Sequence, residues 1–185
     1  MRLGIDFDGT VTDAAGMQRQ YAARRWDVQL SEHQVMRAGA TPIIGAERYQ
    51  QMGDAIWGPL TAFTPPQQDA LDTLGSLTAD HEVTIVTARN GHQAAFARRW
   101  LNARGLPIRV VHTASAPKTA ICHTLGIELL LDDDIIRHGA DLLAAGVLPV
   151  LFELPHHRDL ARPPGLQAVE GWSAFADLVR SLPAR

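Results

Sequence analysis

Ile5-Asp6-Phe7-Asp8-Gly9-Thr10, continued by Val11-Thr12-Asp13, closes a short apolar run that begins at Leu3. The run reads as a buried strand interrupted only by its own carboxylates. Two aspartates two positions apart on a strand face the same way. Gly9 then lets the backbone break away, so Asp8 need not stay parallel to Asp6. Carboxylates this close repel, and such a pair is normally held by a cation or by a shared proton. Strand ends facing a crevice are where open α/β sheets keep their ligands. The chemistry implied is a Mg²⁺-assisted aspartyl nucleophile. The plainer alternative is a polar exit from strand to turn.

Three more polar strand ends follow along the chain. Glu82 to Thr87 reads as a second core strand that ends in Thr87-Ala88-Arg89-Asn90. A threonine hydroxyl there, beside the start of a helix that buries Phe96 and Trp100 and stops at Gly105, is well placed to bond a phosphate oxygen. Taken alone, a terminal threonine is more often only a strand end or a cap. Ile108 to His112 predicts a third strand, and Pro117-Lys118 opens a helix that runs to Gly126. Lys118 is the one lysine among seventeen basic residues. A chain that otherwise always uses arginine suggests that a compact ammonium matters at this place. A helix N-terminus disfavours a cation, so the charge would serve better by neutralising Asp6 and an incoming phosphate. The alternative is a solvated surface lysine. Glu128 to Leu131 predicts a fourth strand that runs directly into Asp132-Asp133-Asp134. Three consecutive acids repel unless solvent or a cation compensates, and Mg²⁺, which prefers oxygen ligands and accepts few carboxylates, suits them. A solvated acidic turn is the bland reading.

In this order, Asp6-x-Asp8-Gly9-Thr10, Thr87, Lys118 and the acids after Leu131 resemble the four motifs of the haloacid dehalogenase (HAD) superfamily, most of whose members are Mg²⁺-dependent phosphohydrolases. The resemblance implies that Asp6 attacks phosphorus and Asp8 is the general acid/base, with Thr87 and Lys118 binding the phosphoryl oxygens. Arg89 becomes a further phosphate or substrate contact. The implied metal set is Asp6, Asp8 through its backbone carbonyl, Asp132 and a supporting Asp133, with Asp134 a bystander or a holder of water. The tail Leu151-Phe152-Glu153-Leu154-Pro155-His156-His157-Arg158, with the later Gly171-Trp172, is similar to the bacterial nucleotidase-like branch related to 5'(3')-deoxyribonucleotidases. That branch often has Tyr-Asn where this chain has His156-His157.

Alternating strands and helices predict an α/β fold with a doubly wound, mostly parallel, Rossmann-like sheet, its first strand central. Residues 14–63 differ, with hydrophobics spaced for helices and no good buried strand. They predict a helical cap inserted after the first strand, leaving 1–13 and 64–185 as the catalytic core. Within the cap, Ala15 to Trp26 places Met17, Tyr21 and Arg25 on one stripe. Ser31 with Gln34 suits a capping box, and Ala46 to Trp57 aligns Tyr49, Met52 and Ile56. Tyr21, Arg24, Arg25, Trp26, Arg48, Tyr49 and Trp57 are the candidates to grip a substrate, although packing the cap is the commoner fate of each. Thr64-Pro65-Pro66-Gln67 predicts the start of the next helix. Ile136 to Ala145 predicts a helix, Val147 to Phe152 a fifth strand, and His156-His157 a surface loop, since neighbouring histidines point apart. A last amphipathic helix is expected from Trp172 to Leu182.

Composition narrows the partners. At 185 residues with net charge −3, nothing suggests a nucleic-acid or membrane partner driven by bulk charge. Cys122 is the single cysteine, which excludes an intrachain disulfide and leads to the expectation of a cytoplasmic protein. No apolar stretch is long and unbroken enough to span a bilayer. The expectation is a Mg²⁺-dependent phosphomonoester hydrolase acting on a small phosphorylated metabolite, a nucleoside monophosphate first. The alternatives are a phosphatase for another metabolite such as a sugar phosphate, or a non-catalytic binder of a phosphorylated ligand.

Overall fold

The computed structural model describes residues 1–158 and 160–183. Its strands are β1 (Arg2–Ile5), β2 (Glu82–Thr87), β3 (Arg109–His112), β4 (Leu129–Asp132), β5 (Leu148–Phe152) and β6 (Gln167–Val169). All pair in parallel, in the order β3-β2-β1-β4-β5-β6. β1 therefore lies inside the sheet, with Leu3 opposite Val83 on one side and Leu129 on the other. The strand order reverses between β1 and β4, which opens a crevice at the C-terminal ends of the strands. The helices are α1 (Ala14–Trp26), α2 (Arg37–Ile44), α3 (Ala46–Ile56), α4 (Ala70–Asp80), α5 (Gly91–Asn102), α6 (Thr119–Leu125), α7 (Gly139–Ala144) and α8 (Trp172–Ser181). No described helix is long and apolar enough to cross a membrane.

A sheet covered on both faces needs strands that are apolar between their ends, and β1 and β4 are, with Arg2 and Asp132 only at their termini. Leu3, Ile5, Leu129 and Leu131 meet Leu74 of α4, Trp100 of α5 and Phe175 of α8 on one face. Leu130 and Leu151 meet Cys122 of α6 and Leu142 of α7 on the other. Gly4 is closely packed, and a Cβ there would approach the Ile127 and Leu130 side chains to 3.0 Å.

Between β1 and β2 the chain makes the helical insert. It carries its own apolar cluster, including Ala22, Leu30, Ile44, Tyr49, Met52 and Ile56. The face expected of α3 is the one buried. That of α1 is rotated by one position: Ala14, Gln18 and Ala22 are buried, while Arg25 is exposed. Small side chains let the helix approach closely, and a hydrophobicity pattern scores them weakly. Ser31 and Gln34 close a short 3₁₀ turn, where the Ser31 N–H donates to Gln34 Oε1 at 2.9 Å.

Three expectations need correction. The helix predicted to open at Thr64 begins at Ala70. The residues meant to cap it are spent elsewhere: Thr64 Oγ1 donates to the Leu60 carbonyl, and the Gln67 amide donates to the Gly9 carbonyl at 2.8 Å. This return segment is tied to the loop after β1, where Gln67 N–H also donates to Val11 O. The helix expected from Ile136 is shorter, starting at Gly139. His156-His157 is not a surface loop but a 3₁₀ turn. Within it His157 is 3% exposed, its Nδ1 accepting the Leu154 N–H at 3.0 Å. β6 was not foreseen, since three residues are too few to show an alternation.

Candidate active site

β1, β2 and β4 end together, and their ends carry Asp6, Thr87 and Asp132 to one cleft of about 840 Å³. Asp6 continues the β1–β4 pairing by donating its N–H to Leu131 O at 2.8 Å. Its side chain therefore leaves the sheet at the same level as that of Asp132. Lys118, which caps α6, projects between them. Its ammonium donates to Asp6 Oδ1 and, at 2.8 Å, to Asp132 Oδ2. The other oxygen of Asp132 accepts the Asp134 N–H at 2.8 Å, so this carboxylate is held on both sides.

Asp133 is fixed by the loop after β1. Thr10 Oγ1 donates to Asp133 Oδ1 at 3.2 Å and accepts the Asp133 N–H at 3.1 Å. Thr10 is held in turn by the Trp172 indole N–H, which donates to its carbonyl at 3.0 Å. Gly9 lies at φ +89°, and a Cβ there would sit 2.2 Å from Asp133 Oδ2. Only glycine meets both demands, the positive φ and the close approach.

Asp6, Asp132 and Asp133 each offer an oxygen within 4.8 Å of the others. Burial pushes the Asp6 carboxyl up to about 7, with Lys118 pulling it down and Asp132 and Asp8 adding to the rise. Asp133 is likewise raised, by burial and then by Asp6 and Asp132. Burial works against the charge on Lys118, but Asp132 and Asp6 outweigh it and raise its pKa. Five carboxylates line the cleft, Asp134 beside Asp6, Asp8, Asp132 and Asp133, and so do the cations Arg37, Arg89, Lys118 and Arg137. At the strand ends three buried carboxylates, Asp6, Asp132 and Asp133, meet the one ammonium of Lys118, and this all-oxygen donor set fits one hard divalent cation such as Mg²⁺.

Asp8 lines the same cleft but stands outside that trio. Arg89 Nε donates to Asp8 Oδ2 at 2.7 Å and Nη2 to Asp8 Oδ1 at 2.8 Å, a two-pronged pair. Thr87 is 1% exposed at the floor of the cleft, where its Oγ1 accepts the Arg89 N–H at 3.3 Å. Of the seven cap residues singled out from sequence, Tyr49 and Trp57 line the cleft. Tyr21, Arg24, Arg25, Trp26 and Arg48 are not among its lining residues. Arg37, Arg137, His138 and His156 are; sequence patterning gave no signal for the first three, and His156 was expected in a surface loop.

No protein-family model and no curated protein matches the chain. Solved structures do match it. A HAD family hydrolase from Deinococcus radiodurans R1, solved with bound phosphate and sodium, superposes with a TM-score of 0.65 at 14% identity over 97% of this chain and 95% of its own. This is the HAD fold. The putative HAD-hydrolase YfnB from Bacillus subtilis, bound to magnesium, has a TM-score of 0.63 at 11% identity over 96% and 97% of the two chains. D,D-heptose 1,7-bisphosphate phosphatase from Burkholderia thailandensis has 0.58 at 14% identity over 98% and 99%. Open parallel sheets keep their ligands in the crevice beyond the strand ends, and that is where Asp6, Thr87 and Asp132 stand together.

Proposed function

We propose that the chain is a Mg²⁺-dependent phosphomonoester hydrolase that works through an aspartyl-phosphate, with nucleoside monophosphates as its substrates. One observation carries the reading: the sole lysine bridges Asp6 and Asp132 beside Asp133, at the mouth of a cleft large enough for a small metabolite. A phosphatase is named among the structural neighbours, and others are described with bound phosphate and with magnesium.

An Asp6 oxygen attacks phosphorus in line, a bond forms from it to phosphorus, and the bond to the leaving oxygen breaks. Asp8 gives that oxygen its proton. In the second half Asp8 takes a proton from water, the water oxygen attacks the same phosphorus, and phosphate leaves with Asp6 restored. Lys118 and the Thr87 hydroxyl hold the remaining phosphoryl oxygens and stabilise the charge spread over them. Asp6, Asp132, Asp133 and the Asp8 carbonyl would hold Mg²⁺, which supplies charge neutralisation for the dianionic phosphate.

The nucleotide rests on the tail that resembles the nucleotidase-like branch, and Trp57, a half-buried ring lining the cleft, offers a stacking surface for a base. Asp8 disfavours a dehalogenase, which needs no acid for its leaving group, and equally a mere binder. Screening nucleoside monophosphates, sugar phosphates and phosphorylated amino acids for phosphate release tests the substrate. Best turnover of a nucleotide is expected. A flat response across nucleotides with strong turnover of a sugar phosphate would replace the substrate class.

A further inference from the structure

We infer that Arg89 is a positioning residue for Asp8, holding that carboxylate from anchors in the return limb of the helical insert. The inference rests on the phosphatase reading for the role of Asp8, and on geometry for everything else. The Arg89 side chain is 3% exposed. Its guanidinium has five N–H donors in a fixed plane. One edge takes both oxygens of Asp8, through Nε and Nη2. Nη1 is turned to three further acceptors: Thr61 Oγ1 at 2.9 Å, Trp57 O at 3.1 Å and Gln93 O at 3.2 Å. Only the second hydrogen on Nη2 stays uncommitted. A group meant to grip a substrate would keep its donors toward the cleft, so this arginine is built for a protein partner.

The anchors fix the direction of the fork. Trp57 and Thr61 belong to the segment that brings the chain back from α3 to the core, and the Thr61 hydroxyl is itself held by donating to Ile56 O at 2.8 Å. The Phe7 ring lies 4.9 Å from the guanidinium carbon and backs the pair from the β1 side. Asp8 stands just before the turn that Gly9 makes out of β1, and among the described residues its carboxylate accepts from no side chain but Arg89. Its rotamer is set by Arg89, and Arg89 is set in part by the insert.

A mutant cycle tests this on a simple alkyl phosphate, whose poor leaving group depends on the acid. Arg89→Met should lower kcat on the order of 10²-fold, the scale of general acid–base assistance, with KM little changed. Made in Asp8→Asn, the same change should cost no more than about twofold, the scatter of independent sites. Equal losses in both backgrounds, or a raised KM at unchanged kcat, would overturn the inference. Thr61→Val removes one anchor while keeping shape, and serves if Arg89→Met fails to fold. It should lower kcat several-fold with Asp8 present and not with Asn in its place. A readout independent of turnover separates this from failure of the phosphatase reading. Crystals of Arg89→Met or Thr61→Val should show the Asp8 carboxylate rotated away or split between rotamers; an Asp8 unmoved in both would sink the proposal.

Discussion

Lys118 bridges two buried carboxylates with three donors on a narrow head, a task for which guanidinium is too broad and too flat. Lys118→Arg is expected to lower kcat on the order of 10²-fold while the thermal midpoint stays within a few degrees, checked by phosphate release and by melting. A near-wild-type rate would show the lone lysine to be incidental. Gly9→Ala would place a methyl group on Asp133 and hold alanine at a φ that L side chains rarely adopt. It should cost roughly 1–3 kcal/mol in denaturant unfolding and weaken Mg²⁺ binding as Asp133 is pushed aside. The sequence showed Asp6, Thr87, Lys118, Asp132 and Asp133 because each stands at a strand or helix end. It could not show what holds them. Thr10 to Asp133, Trp172 to Thr10 and Gln67 to Gly9 are partnerships across 58 to 162 residues, and no local spacing encodes them.

Among the elements, strands of four residues or more were legible from apolar runs bounded by turn residues, because burial on both faces leaves little room for polar groups. β6 and the true start of α4 were not, since one is too short and the other has its apparent caps drawn off by the loop after β1. The turn Pro155–His157 was misread because adjacent histidines look solvent-loving, whereas His157 accepts a backbone N–H and is buried. Burial first, then His156, pushes His157 down to about 4 from an ordinary 6.5. The unfolded chain therefore binds a proton between those values that the folded protein refuses. The stability contributed is complete above pH 6.5 and is lost as pH falls toward 4, at most roughly 3 kcal/mol at 1.36 per unit. His157→Gln should flatten that part of the stability–pH curve; an unchanged slope would place the titration elsewhere.

At the scale of the molecule, the crevice exists because strand order reverses between β1 and β4, and the insert leaving the end of β1 covers it. The doubly wound core was readable from the alternation of elements. The way the insert reaches into the site through Trp57 and Thr61 was not, because it depends on one long side chain crossing between layers. The charge deficit at the strand ends predicts that Mg²⁺ stabilises the fold, by about 2.7 kcal/mol at a hundred times its dissociation constant. A melting shift with Mg²⁺ should appear in the wild type and shrink in Asp133→Asn; equal shifts in both would remove Asp133 from the cation's site. On the proposed mechanism, Asp6 is a nucleophile served by a divalent cation. Phosphate release from an aryl phosphate, with Mg²⁺ and with EDTA, for the wild type beside Asp6→Asn, tests it most directly. Turnover is expected only for the wild type with Mg²⁺; release that survives either EDTA or the Asn substitution would contradict it.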